Sequence, residues 1–218
     1  MEKFKEIKTS FLIADLAGYT SLTETHGNLS AANLISRYVE IVNISLKDNT
    51  LLKERVGDEI LVVSSHSHSL LDTAIELVHN IEREPEFLSV HIGIHTGDVI
   101  EQDGNYFGLA LNLCSRISSY SRGGQILCSN DVVKEVSNLN RYQFKKVDDV
   151  RFKNVSKLVS VYELLLKFPK GSIAIDPVCK MQIDLLDPPA KSPYNDKTYY
   201  FCSFECLEKF INNPNQYA

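Results

Sequence analysis

The chain has 218 residues, 44% of them hydrophobic, with a formal net charge of -5 and a pI near 5.7. That length can bury one substantial core and leave material for a small second unit. The acidic balance gives no electrostatic footprint for DNA or RNA, so any phosphate handled here needs a metal or a local basic cluster. The start, MEKFKEIKTSFLIADLAG, is charged where a signal peptide needs its apolar stretch, and no apolar run is long enough to cross a bilayer. The expectation is a cytoplasmic protein with neither nucleic acid nor membrane as partner. The five cysteines are an odd number, split between Cys114 and Cys128 in the body and Cys179, Cys202 and Cys206 near the end. In a reducing compartment this favours buried body thiols and a terminal metal site over disulfides.

In chain order, SFLIAD reads as a first strand and SAANLISRYVEIVNISLKD as a long helix with Ser30 as N-cap. LLKERVGDEILVVSS reads as a hairpin, its two apolar runs flanking the Gly57-Asp58 pair. A helix (SLLDTAIELVHNIERE), a strand (LSVHIGIHTGDVI) and a helix after Gly108 (LALNLCSRISSYS) follow. QILCSN, YQFKKVDDVRFK and LVSVYELLL read as strands. The pattern implies an α/β fold, an α+β sandwich with helices packed on a sheet, over residues 1–168. FPKGS then reads as a linker, taken as residues 169–172. Residues 173–218 change composition to Pro, Cys and aromatics.

Asp15 closes an apolar strand and Asp58 sits on the turn of the next two. Two carboxylates at neighbouring strand ends suit one or two hard cations, because Mg²⁺ and Mn²⁺ take a few protein oxygens and keep water and phosphate for the rest of their shell. Equally, Asp15 could cap a turn and Asp58 serve as an ordinary hairpin residue.

FLIADLAGYTSLTE resembles the opening motif of the class III adenylate and guanylate cyclases, and ERVGDEILVV looks like their second metal hairpin. GNYFGLALNLCSRIS is similar to their catalytic helix, with Asn112 and Arg116 four apart and so on one helix face. FKNVSKLVSVYEL resembles their closing hairpin and places Lys153 at the phosphate-binding lysine. The resemblance implies a ferredoxin-like cyclase domain in which Asp15, Asp58 and the Leu16 carbonyl hold two Mg²⁺ or Mn²⁺ ions. It further implies that Arg116 stabilises charge on the α-phosphate, Asn112 holds the ribose and Lys153 binds the terminal phosphates of a purine nucleoside triphosphate. Sites in this family lie across a head-to-tail pair of domains, which implies a homodimer with two equivalent sites and an inactive monomer. The competing reading is a catalytically silent nucleotide-binding or metal-sensing module.

Glu54 stands where adenylate enzymes place Lys and guanylate enzymes Glu. A carboxylate accepts from guanine N1–H and N2–H together, whereas a Lys donates to adenine N1. Glu54 therefore favours GTP over ATP, while Asn105, which can donate or accept, reads either purine. Neighbouring Lys53 would enter the pocket on a one-residue register shift, although strand alternation sends neighbours to opposite faces.

DPVCKMQID with KTYYFCSFECLEKFINNPNQY resembles the YHS domain, a short treble-clef-like module, with Lys180 where its Cys-Gly-Met pattern has Gly. Cys179, Cys202 and Cys206 would form a three-thiolate set for Zn²⁺ or Cu⁺. All six histidines precede the segment. A fourth ligand is expected from Asp176, Met181, water or another chain.

Overall fold

The computed structural model describes residues 4–166 and 173–218; the expected linker lies outside the described residues. Strand β1 (Lys5–Leu16) leads into helix α1 (Tyr19–Ser45), the hairpin β2 (Leu51–Val56) and β3 (Glu59–Ser64), helix α2 (Ser67–Glu82) and strand β4 (Val90–Gln102). These four strands pair antiparallel in the order β2-β3-β1-β4, which with their two helices is the ferredoxin-like arrangement. Strand β5 (Asn105–Phe107) folds back on β4, and helix α3 (Leu109–Tyr120) follows. Strand β6 (Ile126–Ser129) joins β4 in parallel, then come helix α4 (Asn130–Val136) and strands β7 (Phe144–Val150) and β8 (Val159–Leu164), which extend the sheet antiparallel as β6-β8-β7.

Alternation along β1 divides the core. Leu12, Ala14 and Leu16 face the main core with Leu22, Tyr38 and Ile41 of α1 and Leu70, Leu71 and Leu77 of α2. Phe11 and Ile13 point the other way, against Ala110 and Cys114 of α3. Helix α3 lies very close to β4: a Cβ on Gly93 would sit 2.2 Å from the Ser118 main-chain nitrogen, so only glycine admits this approach. The Cys114 thiol donates to the Phe11 and Gly93 carbonyls at 3.3 Å, and both body cysteines, Cys114 and Cys128, are fully buried and free.

Two local expectations are corrected. Helix α1 starts at Tyr19, and its backbone breaks at Gly27 (φ 82°, ψ 169°), so Ser30 lies inside the second segment and does not cap it. The preceding segment, with Leu22 fully buried, is amphipathic and joins the core ahead of the expected start. In β2 the pairing with β3 shifts between Leu52 and Glu54, a bulge with Lys53 as the extra residue, so simple alternation does not separate Lys53 from Glu54.

The C-terminal module has strand β9 (Ile173–Ile175) paired with β10 (Gln182–Asp184), the hairpin β11 (Ala190–Tyr194) and β12 (Lys197–Phe201), then helices α5 (Phe204–Asn212) and α6 (Pro214–Tyr217). Phe201, Phe210, Val178 and Ala190 form its own small core. Lys180 adopts φ 69°, the left-handed conformation for which the Gly of the resembling pattern is suited, at a cost of about 1–2 kcal/mol. The module docks on the larger unit: Leu88 bridges to Met181, and the Gln182 N–H donates to the Phe87 carbonyl at 2.8 Å.

Candidate active site and C-terminal metal cluster

Asp15 ends the row Phe11, Ile13, Asp15 on the α3 side of β1, and Asp58 follows Gly57 in the β2–β3 turn. The two half-buried carboxyl groups lie close enough to shift each other's proton affinity, beside the Leu16 main chain. Burial, then the neighbouring Asp15 carboxyl, pushes Asp58 up to about 6. Burial raises Asp15 as well. Two half-buried carboxylates whose charged forms are disfavoured by burial and by each other are groups that a dication would stabilise, so the donor set fits a hard cation.

Four residues around this pair carried no local sequence signal. His91 of β4 donates from Nδ1 to the Ser118 carbonyl at 3.1 Å, which leaves Nε2 facing Asp15 Oδ2 at 3.6 Å. Its burial lowers its pKa, favouring the neutral ring. The Tyr38 hydroxyl is fully buried, has no hydrogen-bond partner among the described residues and feels the charge of both carboxylates. An orphan of this kind costs about 1–3 kcal/mol. Arg122 and Ser121 line the same cleft as Asp15, Gly18 and Asp58.

Glu54 and Asn112 line a separate groove between the β2–β3 hairpin and α3, together with Ile13, Leu61 and Ser115. None of the residues lining this groove lines the carboxylate cleft. Asn112 and Arg116 are exposed on the outer face of α3, and Arg116 forms no ion pair among the described residues. Lys153 is exposed in the β7–β8 turn. That turn is pinned to α3 by Phe152, which packs with Leu113 and Ile117, the residues next to Asn112 and Arg116. Asn105 is exposed at the start of β5. Lys53 reaches the β4–β5 turn, its Nζ lying 3.3 Å from where a Cβ on Gly104 would be. The chain thus brings Glu54 to Asn112 and the Lys153 turn to α3, and leaves Asp15 and Asp58 in a different cleft.

In the tail, Cys179 lies in the β9–β10 turn, Cys202 just before the N-cap Ser203, and Cys206 in the first turn of α5. The Cys179–Cys202 and Cys202–Cys206 sulfur distances are 3.4 and 3.6 Å. Hydrogen bonds from Cys179 and Cys202 hold the Cys206 thiol well below its ordinary range. Asp176, fully buried, is not placed as a ligand: its carboxylate accepts the N–H groups of Val178, Cys179 and Cys202. Met181 packs into the hydrophobic clusters of both units. The side chain that meets the thiols is His26 of α1, with Nε2 at 3.6 Å from Cys202 Sγ and 3.7 Å from Cys206 Sγ. The expected source of the fourth ligand is corrected accordingly: an earlier histidine folds back onto the tail.

Comparison with known proteins agrees with this architecture. A curated pH-sensitive adenylate cyclase of Mycobacterium tuberculosis is 26% identical over 119 residues, 55% of this chain and 30% of that protein. The chain therefore spans about a third or less of the length of such curated relatives. The crystal structure of the adenylyl cyclase CyaB from P. aeruginosa has a TM-score of 0.65 at 19% identity, covering 77% of this chain and 98% of that one. The guanylate cyclase domain of RhGC from Catenaria anguillulae, solved in complex with GTP, has a TM-score of 0.67 at 17% identity, covering 75% and 100%. At such identities these structures speak for the fold. Among the described residues no helix is long and apolar enough to cross a membrane. The YHS domain profile matches residues 174–218. The profile described as the Adenylate and Guanylate cyclase catalytic domain matches residues 1–165, and the chain belongs to that family.

Proposed function

We infer that the chain is a nucleotidyl cyclase, a phosphorus–oxygen lyase of intracellular signalling. It closes a purine nucleoside triphosphate, GTP ahead of ATP, into the 3′,5′-cyclic monophosphate and releases pyrophosphate. The catalytic unit is residues 1–168, followed by a YHS module at 173–218. The observation that carries the reading is the half-buried pair Asp15 and Asp58 facing one cleft from adjacent strand tips, beside a cyclase-type helix whose Asn112 and Arg116 are exposed on its outer face.

Asp15 and Asp58, with the Leu16 carbonyl, would hold two Mg²⁺ or Mn²⁺ ions. Such ions supply neutralisation of triphosphate charge and a lowered pKa of the ribose 3′-hydroxyl. Arg116, with its fixed fork of donors, meets charge growing on the α-phosphate in the transition state, where a preorganised donor counts most. Asn112 orients the ribose so that its oxygen lies in line with the α-phosphorus. Lys153, held against α3 by Phe152, binds the terminal phosphates. Glu54 accepts from guanine N1–H and N2–H in the groove it shares with Asn112, and Asn105 donates to guanine O6.

The separation of the Glu54–Asn112 groove from the carboxylate cleft supports a homodimer in which each site takes its carboxylates from one copy and its Asn112, Arg116 and Lys153 from the other. Exposed apolar side chains, Val56 in the groove and Phe107 and Leu109 at the start of α3, suit burial by a second copy. The test is incubation of the purified full chain with Mn²⁺ and either GTP or ATP, measuring cyclic nucleotide and pyrophosphate. Formation of both products in equal amount is expected, faster from GTP; conversion of neither triphosphate would overturn the reading.

A further inference from the structure

The imidazole of His26 and the thiols of Cys179, Cys202 and Cys206 place their ligand atoms within 4.8 Å of one another. A disulfide would bring two sulfurs to about 2.05 Å, so the spacings of 3.4 and 3.6 Å are not those of a bond. Three sulfurs and one ring nitrogen gathered this closely can close around a single ion. With metal–sulfur bonds of about 2.3 Å and a metal–nitrogen bond of about 2.0 Å, tetrahedral angles put sulfurs about 3.8 Å apart and sulfur to nitrogen about 3.5 Å. The 3.6 and 3.7 Å from His26 Nε2 to two thiols match that second edge.

The surroundings are built to hold these ligands. The Asp176 carboxylate gathers the main-chain N–H groups of Cys179 and Cys202, which fixes the two loops that carry them. The Ser203 hydroxyl accepts the Cys206 N–H at the start of α5. Lys209 of α5 reaches the Thr25 carbonyl, beside His26, at 3.4 Å. Supporting hydrogen bonds of this kind orient ligands in metal sites.

We propose that His26, Cys179, Cys202 and Cys206 form one four-coordinate site for a thiophilic d¹⁰ cation, Zn²⁺ or Cu⁺, and that this ion crosslinks the C-terminal module to helix α1 of the cyclase domain. Three ligands come from the tail and the fourth from a residue 176 positions before Cys202. The ion is therefore a joint between the two units, not a staple within one. Helix α1 begins at Tyr19, four residues after Asp15, so the joint fixes the helix that leaves the carboxylate strand.

The assignment stands apart from turnover and is tested without it. The full chain is stripped with chelator under reducing conditions and reloaded with Zn²⁺ or Cu⁺ in separate arms. About one tightly held equivalent per chain is expected for the resident metal, measured by mass spectrometry of the metal after desalting. X-ray absorption on the zinc-loaded chain should show three sulfurs and one nitrogen with the outer-shell scattering of an imidazole. In a Co²⁺ titration, His26→Ala should lower affinity at least tenfold and alter the tetrahedral d–d bands. A zinc shell without imidazole, an unchanged Co²⁺ spectrum and affinity in H26A, or retention of neither metal would each overturn the proposal. The X-ray absorption arm needs no variant and decides the matter even where H26A does not fold.

Discussion

Lys180 of the C-terminal module lies across Gly18, the residue between the carboxylate strand and helix α1: a Cβ on Gly18 would fall 2.4 Å from Lys180 Cβ and 2.5 Å from its Cγ. Gly18 holds φ 95°, and the Lys180 ammonium donates to the Pro177 carbonyl at 2.7 Å, which keeps its stem in place over the glycine. The tail therefore touches the cyclase domain next to the residues that would bind cations.

Gly18→Ala meets two penalties, a positive φ costing about 1–2 kcal/mol and an overpacked contact costing about 1–3 kcal/mol. Urea unfolding should show a loss of about 2–5 kcal/mol for G18A. In the double variant with Lys180→Gly, which removes both the Cβ and the Cγ met by the new methyl, the contact penalty vanishes and only the backbone part remains, so the two changes should be strongly non-additive. Additive effects would show that Lys180 does not rest on Gly18.

The carboxylate pair has a pH signature whose sign follows from linkage. Asp58 is raised from an ordinary carboxyl value to about 6 in the folded chain, so the folded state holds more protons than the unfolded one between about 4 and 6. In chelator, the pair's contribution is most favourable below that window and is lost as pH rises through it. Asp58→Asn should remove this slope, so the Tm difference between variant and parent should grow in favour of the variant from about pH 4 to pH 6. With Mg²⁺ or Mn²⁺ present the same protons must leave, so cation affinity measured by calorimetry should fall as pH drops below about 6. A flat difference in Tm would show that the carboxyls do not shift each other's proton affinity.

Much of this was legible in the sequence because the signals are local. The Gly57-Asp58 turn between two apolar runs gave the β2–β3 hairpin, and the Asn112/Arg116 spacing gave one exposed face of α3. The β4–β5 hairpin and α4 were passed over, since β5 and α4 are only 3 and 7 residues long and too short for a period to declare itself. His91 meets Asp15 across neighbouring strands, and His26 meets Cys206 across 180 positions. No local pattern encodes either, because strand pairing and docking decide them. The Lys53 bulge is likewise a property of the pair β2–β3, invisible in β2 alone.

Sharing of sites between copies makes a prediction that a one-chain site does not. Asp15→Ala and Arg116→Ala should each abolish most turnover, R116A by about 10²–10³-fold, as when a transition-state donor is removed. Mixed in equal amounts, the two inactive proteins form heterodimers in which one of the two sites has all its residues. Recovery of up to about a quarter of parental activity is then expected, reached as subunits exchange. Absence of any recovery, with heterodimers shown by native mass spectrometry, would place both residues in a site made by one chain.

Base choice turns on two neighbours that the β2 bulge prevents alternation from separating. Glu54 lines the groove with Asn112, while the Lys53 ammonium lies over the Gly104 turn, one residue from Asn105. If Glu54 reads the base, Glu54→Lys removes the acceptor for guanine N1–H and N2–H and offers a donor to adenine N1. A good bidentate base contact discriminates by about 1–3 kcal/mol, so the GTP-to-ATP ratio of kcat/KM should fall by roughly 10- to 100-fold. Lys53→Ala should leave that ratio near its parental value, because the carboxylate contact survives. The opposite pattern, a ratio unmoved by E54K and ATP use lost in K53A, would mean that the bulge has turned Lys53 into the pocket and that adenine is the base being read.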